Sequence, residues 1–412
     1  MHTLIRFELR KITGNKLFYA VLILLTAVIL LLVSKAVSGA YIINQEGKEL
    51  KGMAAISLRK SYDRQLAGPL DSAKLEQAVT QHQQILRDPQ NVKPDGKLTL
   101  DAYAKYEEPN EQIHTILRYV LSPLDKYDYY AIDTIPPANA ERFYQLRIDK
   151  VNYYLNFNYS YGDYTAGDKA FFQRMNEDVP VPLQMDYVKG WEESLRNLPL
   201  LLMAIAFVTA ACLASLFAGE YQQGTDALIL TTRYGRNKFI LAKITAGFTV
   251  CFIILLYGLG AYTLLMLGIY GFDGGSASVQ IINMLAPVPY TVLTAFCWTI
   301  LIGCMACLLT GALTMWLSSW LRTPFTVIIA IGIILIGPLF VPASKSSRMF
   351  NYLMDLWPGK MVNGFQKMMD YQVFHLFGQY MPIYKIMPVF AIVLILFVLP
   401  FTYRAFMKHQ VA

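Results

Sequence analysis

Charge is missing from the most apolar parts of this 412-residue chain. Residues 244–272 and 274–321 contain no Asp, Glu, Lys, Arg or His. The apolar runs at 17–33, 198–218, 325–341 and 386–403 are equally free of them. Proton pumps and ion-coupled transporters need ionisable groups at membrane depth. Their absence argues against a gradient-driven mechanism, so work done on a solute has to enter from outside the bilayer. The chain also lacks the means to supply that work. A nucleotide-binding P-loop requires G-x-x-x-x-G-K-[ST]. The nearest match, Gly162 to Gly167, is followed by Asp168, which would repel phosphate where Lys should hold it. Cysteine is scarce: Cys212, Cys251, Cys297, Cys304 and Cys307 all lie in apolar runs, so no disulfide framework supports the polar part of the chain. The C-x-x-C pair Cys304 and Cys307 has no basic neighbour to lower a thiol pKa. Gly303, Cys307 and Gly311 recur every four residues instead, as in a small-residue helix-packing stripe. The five histidines (His2, His82, His114, His375, His409) show no metal-ligand spacing. Neither a metal nor a cofactor is expected.

The composition that remains is 55% hydrophobic and 16% charged, too apolar for a soluble protein and too charged for membrane spans alone. The net charge of +7 sits largely beside apolar runs, where positive-inside bias explains it without a nucleic-acid partner. Six runs are long enough to cross a bilayer as helices, which takes about 20 residues each. The expected fold is therefore mainly α: a polytopic membrane protein with six spans and both termini on the basic, cytoplasmic side. Residues 1–16 read as an amphipathic interfacial helix, with Ile5, Leu9 and Ile12 on one face and Arg6, Arg10 and Lys11 toward water and headgroups. The first span covers 17–37. Residues 38–197 form a polar, mostly helical outer domain, with helices predicted over 71–87, 111–121 and 138–157. Its many tyrosines, from Tyr127 to Tyr164, suit core and interface packing or an amphipathic ligand. Residues 198–412 hold spans two to six, starting at about 198, 239, 285, 324 and 386, with an outer segment over 342–385.

A charged island separates the second and third spans. It runs from Phe217 through Glu220, Gly224, Thr225, Asp226, Arg233 and Arg236 to Lys243. Its basic residues place it in the cytoplasm. Thr225 and Asp226 read as the cap of a short helix and Tyr234-Gly235 as its end. A stiff helix just under the membrane suits a lever pushed by something soluble. On the residues alone, an ordinary basic connector is the other reading.

Glu220, then Gly224-Thr225, a Leu-rich turn, Arg236 and Lys243 resemble the loop between the second and third spans of bacterial type-2 ABC exporter permeases. The family often has Pro three residues before the Arg, where this chain has Arg233. The run Phe7-Glu8-Leu9-Arg10-Lys11, with Asn15-Lys16, resembles the opening of the same permeases. The resemblance implies that Glu220, Gly224, Thr225, Arg236 and Lys243, in a coupling loop over 219–238, receive force from a separate ATP-binding subunit. It also implies a second permease subunit, in a homodimer or heterodimer, a pathway between the two, and export of an amphipathic substrate such as a peptide, antibiotic or lipid. Two other classes are weighed. A membrane-anchored envelope sensor would use the outer domain and need no ATPase. An intramembrane enzyme would need catalytic groups at membrane depth, which the apolar runs lack.

Overall fold

The computed structural model describes residues 1–409. Helix α1 (His2–Thr13) ends on Arg10 and Lys11, cations that favour the negative end of a helix dipole. Asn15 then accepts a hydrogen bond from the Leu17 N–H and opens α2 (Lys16–Gly39). Only one stripe of α2 is buried, including Leu25, Ile29 and Leu32 at spacings of four and three, so its other faces are left for a surrounding apolar medium.

The polar insertion follows. A two-stranded hairpin, β1 (Tyr41–Ile43) against β2 (Glu49–Lys51), leads to α3 (Met53–Gln65). Asp71 caps α4 (Ser72–Arg87) by accepting from the Lys74 N–H. Helix α4 buries Leu75, Ala78, Val79 and His82 on one face, and α5 (Glu111–Leu121) packs Ile113, Leu117 and Val120 against it. The expected helix over 138–157 divides. A 3-10 segment, Pro137–Arg142, precedes α6 (Phe143–Asn156), because two consecutive prolines fix the local backbone. Helix α7 (Ala166–Glu177) is closed at its N-terminus by a capping box between Thr165 and Asp168.

Among the described residues, five helices are long and apolar enough to cross a membrane: Lys16–Gly39, Lys189–Gln223, Lys238–Tyr270, Val292–Trp320 and Ile383–Met407. A sixth apolar helix, Pro324–Phe340, has 17 residues. The second of these begins nine residues before the expected start at Leu198. Helix α8 (Lys189–Leu213) is carried through its polar first turns by ion pairs of Glu192 with Lys189 and Arg196, both at 2.9 Å. It runs into α9 (Ser215–Gln223) through a break at Ala214. There the Ser318 hydroxyl donates to the Ala214 carbonyl (2.8 Å) and accepts from the N–H groups of Phe217 and Ala218, both at 3.0 Å. The broken ladder thus keeps its hydrogen bonds inside an apolar bundle, where unsatisfied backbone groups are costly.

After the short helix α10 (Asp226–Thr231), the long α11 (Lys238–Tyr270) and the central α12 (Val292–Trp320) complete the heart of the bundle. Helix α12 lies close to α8 and α11. A Cβ on Gly303 would stand 2.4 Å from Leu202 Cδ1, and one on Gly311 would stand 2.6 Å from Cys251 Sγ. Cys307, between them, is buried and unpaired, with its thiol against the Leu202 carbonyl at 3.5 Å. Helix α13 (Pro324–Phe340), α14 (Arg348–Asp355), a hairpin of β3 (Val373–Leu376) and β4 (Gln379–Pro382), and α15 (Ile383–Met407) finish the chain.

The hairpin segment joins the insertion. Tyr371 and Val373 share a core with Val151, Leu155, Tyr164 and Phe172. The Arg348 guanidinium donates to the Gly162 carbonyl at 2.6 Å and lies 3.8 Å from the centre of the Tyr164 ring. Part of the tyrosine cluster is therefore core, while Tyr127, Tyr129 and Tyr130 remain exposed.

Candidate functional site

At the end of the bundle opposite the insertion, three chain segments meet on one set of charges. Glu220 is on α9 and only 2% exposed. Its Oε1 accepts from Lys243 Nζ on α11 at 2.7 Å and from Lys11 Nζ on α1 at 2.5 Å. Its Oε2 accepts from the Thr225 hydroxyl at 2.5 Å. Lys243, 1% exposed, also donates to Glu8 Oε2 at 2.9 Å and to the Leu216 carbonyl at 2.9 Å. Two carboxylates face two ammonium groups, so the cluster is neutral as a whole. A buried charge survives only when paired and hydrogen-bonded in this way. A small cavity of about 100 Å³ lies beside it, lined by Glu8, Lys11, Asn15, Ser215 and Lys243 among others.

The local sequence explains the arrangement. Gly224 takes a left-handed conformation (φ 66°) and closes α9, its N–H turning back to the Glu220 and Tyr221 carbonyls. That turn brings Thr225 back over Glu220. Thr225 therefore does not cap α10 with its side chain, as its position suggests; its hydroxyl has the nearer carboxylate to serve. Residues 219–223, expected in the loop, are the last turn of α9. Arg236 stands outside the cluster, its Nε on the Leu230 carbonyl at 3.3 Å. Of the five loop residues singled out in the sequence, the structure gathers Glu220, Thr225 and Lys243, uses Gly224 as the turn, and leaves Arg236 apart.

Glu8 and Lys11 are the partners that sequence reasoning missed. The signal was there: Glu8 is three residues after Ile5 and four before Ile12, so it lies on the apolar face of α1 rather than the wet one. Lys11, expected to face water, is 45% exposed but turns its ammonium onto Glu220.

The last helix reaches the same end. Tyr221 donates to the Ser319 carbonyl (2.9 Å) and stacks on Phe406 with ring centres 5.7 Å apart. His409 lies 3.2 Å from Asp226 Oδ2, and the Tyr403 hydroxyl donates to the Arg236 carbonyl at 3.3 Å. The ion pairs hold α1, α9 and α11 at one point.

A second buried set of charges lies in the insertion. His82, Glu107 and His114, scattered in sequence, come together there. Burial alone would raise the Glu107 carboxyl, but His114, His82 and Arg118 outweigh it and hold the group well below the usual carboxylate range. Burial depresses His114, whereas Asp133 and Glu107 overcome burial at His82 and raise it.

The apolar helices, with charge confined to the two ends, define a multi-pass membrane protein. The chain belongs to the ABC-2 family of transporter proteins, whose family model matches residues 2–409, nearly its whole length. That family comprises transmembrane transport subunits and implies a separate ATP-binding partner. Neither the curated proteins nor the solved structures give a significant match.

Proposed function

We propose that this chain is the permease subunit of an ATP-driven exporter, with six spans, both termini in the cytoplasm and residues 38–197 outside. The observation that carries this reading is the buried Glu8–Lys243–Glu220–Lys11 cluster. It sits where the basic segments converge, at the end of helices whose apolar lengths hold no charge. A push on α10 from a soluble ATPase reaches α1, α9 and α11 together, because the ion pairs and the Gly224 turn join them. Helix α13, at about 1.5 Å per residue, is roughly 25 Å long. That is close to the shortest length that crosses a bilayer core of about 30 Å, so it serves as the fifth span. Its exposed apolar side chains, Phe325, Ile329 and Ile333, suit lipid or a second permease subunit. A pathway between two such subunits, without charge at membrane depth, fits an amphipathic substrate.

The test is purification of the full chain with whatever ATP-binding subunit accompanies it, then reconstitution of the complex. Glu220→Gln keeps the size of the side chain and removes its charge. It should lower substrate-stimulated ATP hydrolysis several-fold, while Glu141→Ala, exposed on the insertion, leaves it unchanged. Equal stimulation in both variants, or ATP hydrolysis by the chain alone, would overturn the proposal.

A further inference from the structure

We propose that the insertion carries a transition-metal site of the zinc class, with His82, Glu107 and His114 as its protein ligands. The ligand atoms of the three residues all lie within 4.8 Å of one another, and all three side chains are buried. His114 Nδ1 is 2.9 Å from Glu107 Oε2, and His82 Nδ1 is 3.4 Å from the same oxygen. In a tetrahedral zinc centre with bonds of about 2.0–2.1 Å, neighbouring ligand atoms stand roughly 3.3 Å apart. The two observed separations bracket that edge, and the third, between the imidazoles, is within 4.8 Å, so a metal draws the two rings together by up to about 1.5 Å.

The surroundings are those of a ligand set. A metal-bound imidazole characteristically gives its other nitrogen to a carboxylate, which fixes the ring. His82 does so: its Nε2 lies 2.7 Å from Asp133 Oδ1. Arg118 Nη1 stands 2.6 Å from Glu107 Oε1 and leaves Oε2 to the two imidazoles. The ligands stand on firm backbone. His82 is on α4 and His114 on α5. Glu107 ends a π-helical turn, Tyr103–Glu107, a local geometry frequent at functional sites.

Two imidazoles and one carboxylate select zinc-class ions over calcium or magnesium, which prefer oxygen ligands. A cavity of about 210 Å³ reaches the His82–Asp133 side of the cluster, lined also by Tyr103, Arg118 and Tyr129, while Glu107 and His114 lie behind it. The competing arrangement is metal-free, with a protonated His82 and Arg118 balancing Glu107 and Asp133.

The test uses the full-length purified chain, stripped with a chelator and dialysed against Zn²⁺ or Co²⁺. One equivalent of Zn²⁺ per chain should be retained, and Co²⁺ should give the intense visible bands of a tetrahedral site. His82→Gln and His114→Gln should abolish those bands, whereas His375→Gln, on the β3 strand, should keep them. Asp133→Asn should bind with roughly 10–100-fold lower affinity. No stoichiometric metal in the wild type, or bands that survive both histidine changes, overturns the site. Should the histidine variants fail to fold, an Asp133→Asn affinity equal to that of the wild type overturns it instead.

Discussion

At the scale of single residues, Glu8 and Glu220 share one lysine. Glu8→Gln should therefore reproduce the coupling loss expected of Glu220→Gln, although Glu8 stands midway along α1, far from Glu220 in the sequence. Removing the shared cation is harsher. Lys243→Met takes from buried Glu8 its lysine partner and leaves Glu220 only the half-exposed Lys11. Breaking a buried pair costs about 3–5 kcal/mol, so this variant should lose thermal stability in detergent while the two Gln variants keep most of theirs. Denaturation of the three purified variants checks the order; a Lys243→Met protein as stable as Glu8→Gln would refute it. Asp63 on α3 gives a pH dependence. Burial pushes its carboxyl up to about 7, against the pull of Arg59 and Lys189 and with the push of Glu111 and Glu192. Its folded pKa lies above the unfolded value, so the stability it contributes is full below about pH 4 and is lost as pH rises through about 7. The shift is on the order of 4 kcal/mol. Asp63→Asn should flatten the fall of melting temperature over that range, and an unchanged slope would contradict the assignment. Legibility at this scale was uneven. Glu220 and Lys243 stood out as charges at the edges of apolar runs. Thr225 was misread because a cap is a local rule, and the nearer acceptor came from the turn before it. His82 and His114 carried no signal, since only packing of α4 on α5 brings them to Glu107.

Among the elements, the sequence spoke most clearly where an apolar face repeated at helical spacing. The helix over 111–121 and the one opened by Asp71 were readable for that reason. The start of α8 was not, because apolar periodicity ends at Leu198 while ion pairs three and four residues apart carry the helix further back. Nor was the break at Ala214, which depends on Ser318 from a distant helix. The stripe Gly303, Cys307, Gly311 lets α12 approach α8 and α11 at the distance of small side chains. Gly303→Leu would drive its side chain into Leu202. Overpacking of this kind costs about 1–3 kcal/mol, so the variant should melt earlier and yield less folded protein by size-exclusion chromatography. Leu202→Ala should restore it in part. A Gly303→Leu protein with wild-type stability would mean the two helices are not packed as described.

On the scale of the whole molecule, the core that Tyr371 and Val373 share with Val151, Leu155, Tyr164 and Phe172 fixes an order of assembly. Residues 38–197 leave the ribosome long before residue 371 does. Until the later apolar helices have been made and inserted, one half of the insertion has no partner for its apolar face. The half built on Leu75, Val79, Ile113 and Leu117 suffers no such delay, since its core is drawn almost wholly from the insertion itself. Maturation is thus two-stage: an early half folds as it emerges, and a late half stays open to proteases and chaperones until the hairpin at 373–382 arrives. A fragment ending at residue 197 should show this directly. Limited proteolysis should spare residues 70–121 and cut within 143–177, whereas the full chain resists at both. Equal protection of the two halves in the fragment would show that the insertion completes itself without the rest of the chain.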